Sequence, residues 1–187
     1  MSTAPPVLII VDERDHVKGP DIAPVTLLAY CDFECPYSGQ IYPIIETLLK
    51  QVGDHVQYIF RHFPVLHKHA HAQHAAEAAE AAGAQGHFWE MCDLLFTHQA
   101  GFDESDLLGY ARRLRLESAT FEAALRERTY AKRVYRDVAS GRRHGITGTP
   151  TFFINGLKID DEDDLAGLVL KTLADTQSRR SQEDSPH

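Results

Sequence analysis

The chain has 187 residues, 43% of them hydrophobic and 25% charged, with a formal net charge of −8. That length holds one domain, or one domain carrying an insertion, and buries enough surface to fold without a disulfide or metal staple. The acidic balance argues against nucleic acid or an anionic membrane as the main partner, and three cysteines, an odd number, make no disulfide framework. No run is long and apolar enough to span a bilayer. Residues 1–11 carry no basic residue and are followed at once by Asp12, Glu13, Arg14 and Asp15, which are the wrong flanks for a signal peptide. The expectation is a cytoplasmic protein.

Residues 25–30 read as a buried strand, short, apolar and partly β-branched. Residues 31–36 form the turn after it. A helix is expected over 37–52, with Tyr37, Ile41, Ile44, Ile45, Leu48 and Val52 three and four apart. Gly53 is placed to end it. Residues 56–60 form a second strand, so the first three elements predict a right-handed βαβ unit. From residue 67 to 144 the pattern is helical, with helices expected at about 69–82, 87–98, 104–114, 119–127 and 130–144 and Ser118 as an N-cap. The alanines between 70 and 82 favour a helix and let neighbours approach closely. Residues 151–154 form a strand, Asn155-Gly156 a tight hairpin turn, and 157–159 the returning strand. A last helix follows Asp160 and Asp161, capped by the acidic run 160–164. The organisation expected is an α/β domain from 15–66 and 145–175, an inserted helical domain at 67–144, and a disordered polar tail at 176–187.

The chemical signal is Cys35-Pro36-Tyr37-Ser38 at a strand-to-helix junction. Unpaired backbone N–H groups and the positive end of a helix dipole favour a thiolate at such a position. Pro36 suits the first helical position because it has no N–H to leave unsatisfied. Ser38, one turn in, is placed to donate a hydrogen bond to the sulfur. A second signal lies downstream, in Thr147-Gly148-Thr149-Pro150-Thr151, where a proline directly precedes an apolar strand.

Taken together, the segments 30–38 and 147–151, with His62-Phe63-Pro64, the alanine run and Phe88-Trp89-Glu90-Met91, resemble the thioredoxin superfamily, and most closely its DsbA-like branch. The resemblance implies an α/β thioredoxin fold with an inserted all-helical domain. It implies that Cys35 is the attacking, redox-active thiol and that Pro150 is a cis-proline packed beside it. It also places Pro36, Tyr37, Thr149 and Pro150 against the substrate, with the Thr149 backbone binding an extended thiol partner. The branch normally reads Cys-Pro-Tyr-Cys in its turn, and this chain has Ser38 at the second cysteine. Release of a mixed disulfide by attack of that second thiol is therefore closed to it.

Three functions fit these residues. One is a thiol-disulfide oxidoreductase working through Cys35 alone, with an external thiol such as glutathione as co-substrate. Another is a glutathione-dependent transferase or isomerase like the kappa-class relatives of the branch. The third is a non-catalytic redox sensor or binding module on the same fold. Expected partners are thiol or disulfide substrates, protein or small molecule, with no cofactor, metal, nucleic acid or membrane, and the oligomeric state stays open. Cys31, four residues before Cys35, is a possible substitute resolving thiol if a folded turn brings the two together. Cys92 lies on the apolar stripe of its helix and reads as core. The histidines of 67–74 share helical spacings with metal ligands but read as solvated or capping residues at a helix start.

Overall fold

The computed structural model describes residues 6–160 and 164–183. Five strands form one sheet: β1 (His16–Lys18), β2 (Val25–Cys31), β3 (Val56–His62), β4 (Thr151–Ile154) and β5 (Leu157–Lys158), in the order β1-β3-β2-β4-β5. Seven helices accompany it: α1 (Pro36–Val52), α2 (Ala72–Gly83), α3 (Phe88–Thr97), α4 (Glu104–Arg113), α5 (Ser118–Arg126), α6 (Ala131–Arg143) and α7 (Leu165–Glu183). β2 and β3 are central and buried along nearly their whole length, which explains their continuous rather than alternating apolar pattern. β4 and β5 pair antiparallel through a two-residue turn. Asn155 and Gly156 both have positive φ, at 49° and 81°, as such a turn requires.

The expected elements are present, with four corrections. β1 is an additional edge strand. It is only three residues long and carries no periodicity, so only its antiparallel pairing with Tyr58–Phe60 reveals it. α5 is capped by Glu117 rather than Ser118, which already lies in the helix. The Glu117 carboxylate accepts the N–H groups of Ala119 and Thr120 at 3.1 and 2.6 Å. The tail expected to be disordered is helical over 176–183, and 184–187 lie outside the described residues. No proline or glycine interrupts that stretch. The hydroxyls of Thr176, Ser178 and Ser181 donate to carbonyls four residues back, so polar side chains that would otherwise draw on water are satisfied by the helix. Of the acidic run expected to cap α7, Asp161, Glu162 and Asp163 lie outside the described residues.

The fourth correction concerns organisation. The described residues pack as two compact units, one taking those up to Ala29, Pro43–Phe60 and those from Thr151 on, the other Tyr30–Tyr42 and Arg61–Pro150. The expected boundaries at 66 and 145 are displaced because the last residues of β2 and β3 are bonded to α6. The Tyr30 hydroxyl meets Ser140 Oγ at 2.9 Å, Arg61 donates to Ser140 Oγ at 3.1 Å, and the His62 N–H donates to the Asp137 carboxylate at 3.1 Å. The first unit contains the sheet except for the ends of β2 and β3, with Leu27, Leu28, Ile45, Ile59, Phe152 and Val169 in its core. In the second, α2 packs against α3, α5 and α6, and its alanines 75, 76, 78, 79, 81 and 82 are buried as the close approach requires.

Candidate active site

Every residue of the thiol site lies in the second unit. The turn from Asp32 to Cys35 is closed by the Cys35 N–H donating to the Asp32 carbonyl at 3.1 Å, and α1 starts on the next residue. Cys35 thus stands at the N-terminal cap position of α1, with its side chain 4% exposed. Its Sγ donates to the Thr149 carbonyl at 3.2 Å. The Thr149–Pro150 peptide is cis. Two segments 114 residues apart in sequence therefore meet at the sulfur, and they are the two that the sequence singles out.

The other expected site residues divide by exposure. Pro36 and Tyr37 open the helix and are exposed, Tyr37 at 69%. Ser38 faces inward and is completely buried. Its hydroxyl accepts the Asp32 N–H at 3.4 Å, so it steadies the turn. The hydrogen bond that the structure draws for the thiol goes to Thr149 and not, as the spacing suggests, to Ser38. Thr149 Oγ1 is buried and, among the described residues, has no hydrogen-bond partner. It is an unsatisfied polar atom on the residue that touches the sulfur. Cys31, Cys35 and Cys92 are all thiols and all buried. Cys31 belongs to the end of β2 and Cys35 to the start of α1, and no disulfide links them.

The turn is also held by residues whose role the sequence does not announce. Asp32 is 2% exposed, and a carboxylate cannot be buried there without partners. It accepts the Val65 N–H at 2.8 Å, the Glu34 N–H at 2.9 Å and a bond from His69 Nδ1 at 2.8 Å. Glu34 receives the His71 N–H at 2.7 Å and pairs with the His71 ring at 3.1 Å. His67 and His71 are exposed at the start of α2, as expected, while the rings of His69 and His71 also bond the two acidic residues that precede Cys35. His71 takes the N-cap position of α2 but makes no side-chain cap bond. Gln99, from the loop after α3, donates to the Phe33 and Cys35 carbonyls at 2.7 and 2.8 Å, and no local sequence pattern marks it.

The proline loop is positioned from α6. Buried Tyr30, Arg61 and Ser140 form one polar cluster with the half-buried His144, Tyr30 Oη lying 3.2 Å from His144 Nδ1. Burial, reinforced by the positive charges of Arg61 and Arg143, pushes the His144 pKa below the ordinary histidine value. Gly145, at φ 72°, ends the helix, with Gly145 N–H bonded to the Arg142 carbonyl and Ile146 N–H to the Gly141 carbonyl. That double bond pattern aims the chain into the 146–150 loop. A cavity of about 470 Å³, lined by Phe63, Val65, Leu66, Tyr135, Arg142 and Ile146 among others, opens beside the loop.

With this geometry established, comparison with known proteins can be read. The sequence profile of the family described as Thioredoxin matches residues 12–170. The chain belongs to the thioredoxin family. A curated relative, the Na(+)/H(+) antiporter NhaA 1 of Salinispora arenicola, is 44% identical over 184 residues, which is 96% of this chain and 28% of the antiporter. The chain spans about a quarter of the length of the curated relatives it matches. Among solved structures, oxidised BdbD from Bacillus subtilis is 25% identical with a TM-score of 0.74, covering 87% of this chain and 94% of BdbD. MdbA, a thiol-disulfide oxidoreductase from Corynebacterium matruchotii, is 22% identical with a TM-score of 0.69, covering 85% and 89%. α-DsbA1 from Wolbachia pipientis, 18% identical with a TM-score of 0.75 and covering 91% of this chain and 96% of its own, shares the same fold. No helix among the described residues is long and apolar enough to cross a membrane.

Proposed function

We propose that this thioredoxin-family protein is a thiol-disulfide oxidoreductase that works through one nucleophile, Cys35, and borrows its second thiol from solution. The observation that carries the reading is the meeting of the Cys35 sulfur with the Thr149 carbonyl of the proline loop, with Ser38 where the branch normally has its second cysteine. In the first step the Cys35 thiolate attacks a glutathionylated protein or small molecule. The substrate's S–S bond breaks, the substrate leaves as a thiolate that takes a proton from water, and Cys35 is left in a disulfide with glutathione. In the second step the thiolate of another glutathione attacks that disulfide, forming glutathione disulfide and restoring Cys35. The Thr149 backbone and the Tyr37 ring supply the walls against which an extended substrate lies. The shared stretch is 28% of the antiporter relative, and we assign to this chain the chemistry of the thiol site rather than ion exchange.

The test is release of glutathione from a glutathionylated peptide in the presence of excess glutathione. Wild type turns over, Cys35→Ser loses about a hundredfold or more of the rate, and Cys31→Ala retains it. Ser38→Cys gains insulin reduction with a dithiol reductant. Inactive wild-type protein, or undiminished activity in Cys35→Ser, would sink the proposal. Loss of turnover in Cys31→Ala would move the resolving role to Cys31.

A further inference from the structure

Gln99 reaches the active-site turn from the loop that follows α3, and the reaction proposed above makes no use of it. Its Nε2 donates to the Phe33 carbonyl at 2.7 Å and to the Cys35 carbonyl at 2.8 Å, one amide bridging both sides of Glu34. The Cys35 carbonyl also accepts the Gly39 N–H at 3.1 Å, the bond that starts α1. The other end of the carboxamide, Oε1, lies over Gly39. A Cβ built on Gly39 would overlap it. Gly39 sits in the first turns of a helix where alanine would ordinarily gain about 1 kcal/mol, so the missing side chain is a seat for Gln99.

The loop that presents Gln99 is itself anchored to the same turn and helix. Phe96 stacks on Tyr42 with ring centroids 4.4 Å apart and lies against Phe33 at 4.8 Å. The Tyr42 hydroxyl donates to Asp93 at 2.8 Å. The amide is thus held from behind by α3 and directed at two carbonyls of the turn that carries the sulfur. The two donated bonds fix the carbonyls on either side of Glu34 and so hold the backbone that carries the Cys35 sulfur.

We infer that Gln99 is a positioning residue for Cys35, acting as a clamp whose seat is Gly39. The inference rests on Cys35 being the reacting thiol. Gln99→Met keeps the bulk and removes both donated bonds. Gln99→Glu keeps the shape but sets a carboxylate against two carbonyls. Gly39→Ala pushes the carboxamide out of its seat.

The experiment is the rate of Cys35 alkylation by iodoacetamide from pH 5 to 9, read by mass mapping of the Cys35 peptide, with a melting curve for each variant. At neutral pH, Gln99→Met and Gly39→Ala each change the rate by about fivefold, which corresponds to about 1 kcal/mol. In Gln99→Glu the rise of rate with pH moves to higher pH. Gly39→Ala has no further effect when Gln99 is already alanine, because its Cβ then enters vacated space. An unchanged rate–pH curve in Gln99→Met and Gln99→Glu overturns the clamp, and so does an equal effect of Gly39→Ala in both backgrounds. If Gly39→Ala does not fold, the two Gln99 variants alone decide. Alkylation needs no turnover, so failure of the glutathione assay with the clamp result intact would fall on the proposed reaction only.

Discussion

At the scale of single residues, the proposed nucleophile Cys35 is conspicuous and its support is not. Cys35 could be found because proline follows it and a helix begins there. Asp32 could not be valued from the sequence, since an aspartate in a turn is ordinarily solvated. Burial changes its meaning: an acceptor in a dry site must be satisfied, and three donors from 34, 65 and 69 converge on it. The cost of truncation should therefore be asymmetric. Asp32→Ala strands two backbone N–H groups and His69 and is expected to cost about 3 kcal/mol, whereas His69→Ala leaves Asp32 with both backbone donors and costs about 1 kcal/mol. Urea unfolding of the two variants measures this, and equal midpoints would show that His69 carries the site.

At the scale of elements, the ends of helices decide where the site loops point. Gly145 closes the end of α6 with two backbone bonds that require a left-handed residue, and four residues later the chain touches the thiol. Gly145→Ala is expected to lower stability by about 1 kcal/mol through the positive φ. It should also slow exchange at Cys35, because the displaced segment carries the Thr149 carbonyl. A variant destabilised by that amount with wild-type exchange would mean that the loop holds its geometry independently of α6. Helix interiors were readable from period and propensity, as with the alanines of α2. Caps were less so: Glu117 displaced Ser118 because a longer acceptor one residue earlier reaches the same N–H groups. The polar stretch 176–183 was misjudged because composition alone does not register hydroxyls that bond back along their own helix.

At the scale of the whole molecule, acid stability should report on the polar cluster behind the proline loop. His144 has its pKa lowered below 6.5 by burial first, then by Arg61 and Arg143, so the folded chain resists a proton that the unfolded chain accepts. The sign follows: stability is full above about pH 6.5, falls as pH drops through that value, and levels off below the depressed pKa. Arg61, Arg143, Tyr30 and Ser140 are the charged and polar groups facing the ring. The chain has 11 histidines, so the measurement must be a difference. Thermal midpoints of wild type and His144→Asn are compared from pH 8 to 5. The gap between them should change across pH 6.5 and vanish as a pH-dependent quantity at the alkaline end. A gap constant with pH would remove His144 from the acid response.

By itself the sequence determined four of the five strands, the helical character of 67–144, the hairpin at Asn155-Gly156, the thiol and the proline loop that faces it. These are local properties: side-chain period, backbone preference and the chemistry of a cysteine at a helix start act over a few residues. Tertiary structure alone decided how the turn is supported and where the chain divides. The partners of Asp32, Glu34 and the Cys35 carbonyl lie 33 to 64 residues away, and nothing in their neighbourhoods specifies the pairing. The ends of β2 and β3 go with the helical unit because Tyr30, Arg61 and His62 bury polar atoms that α6 and α2 satisfy. Long-range satisfaction of buried polar groups depends on which segments the fold brings together, and that is not encoded in any window of the chain short enough to read.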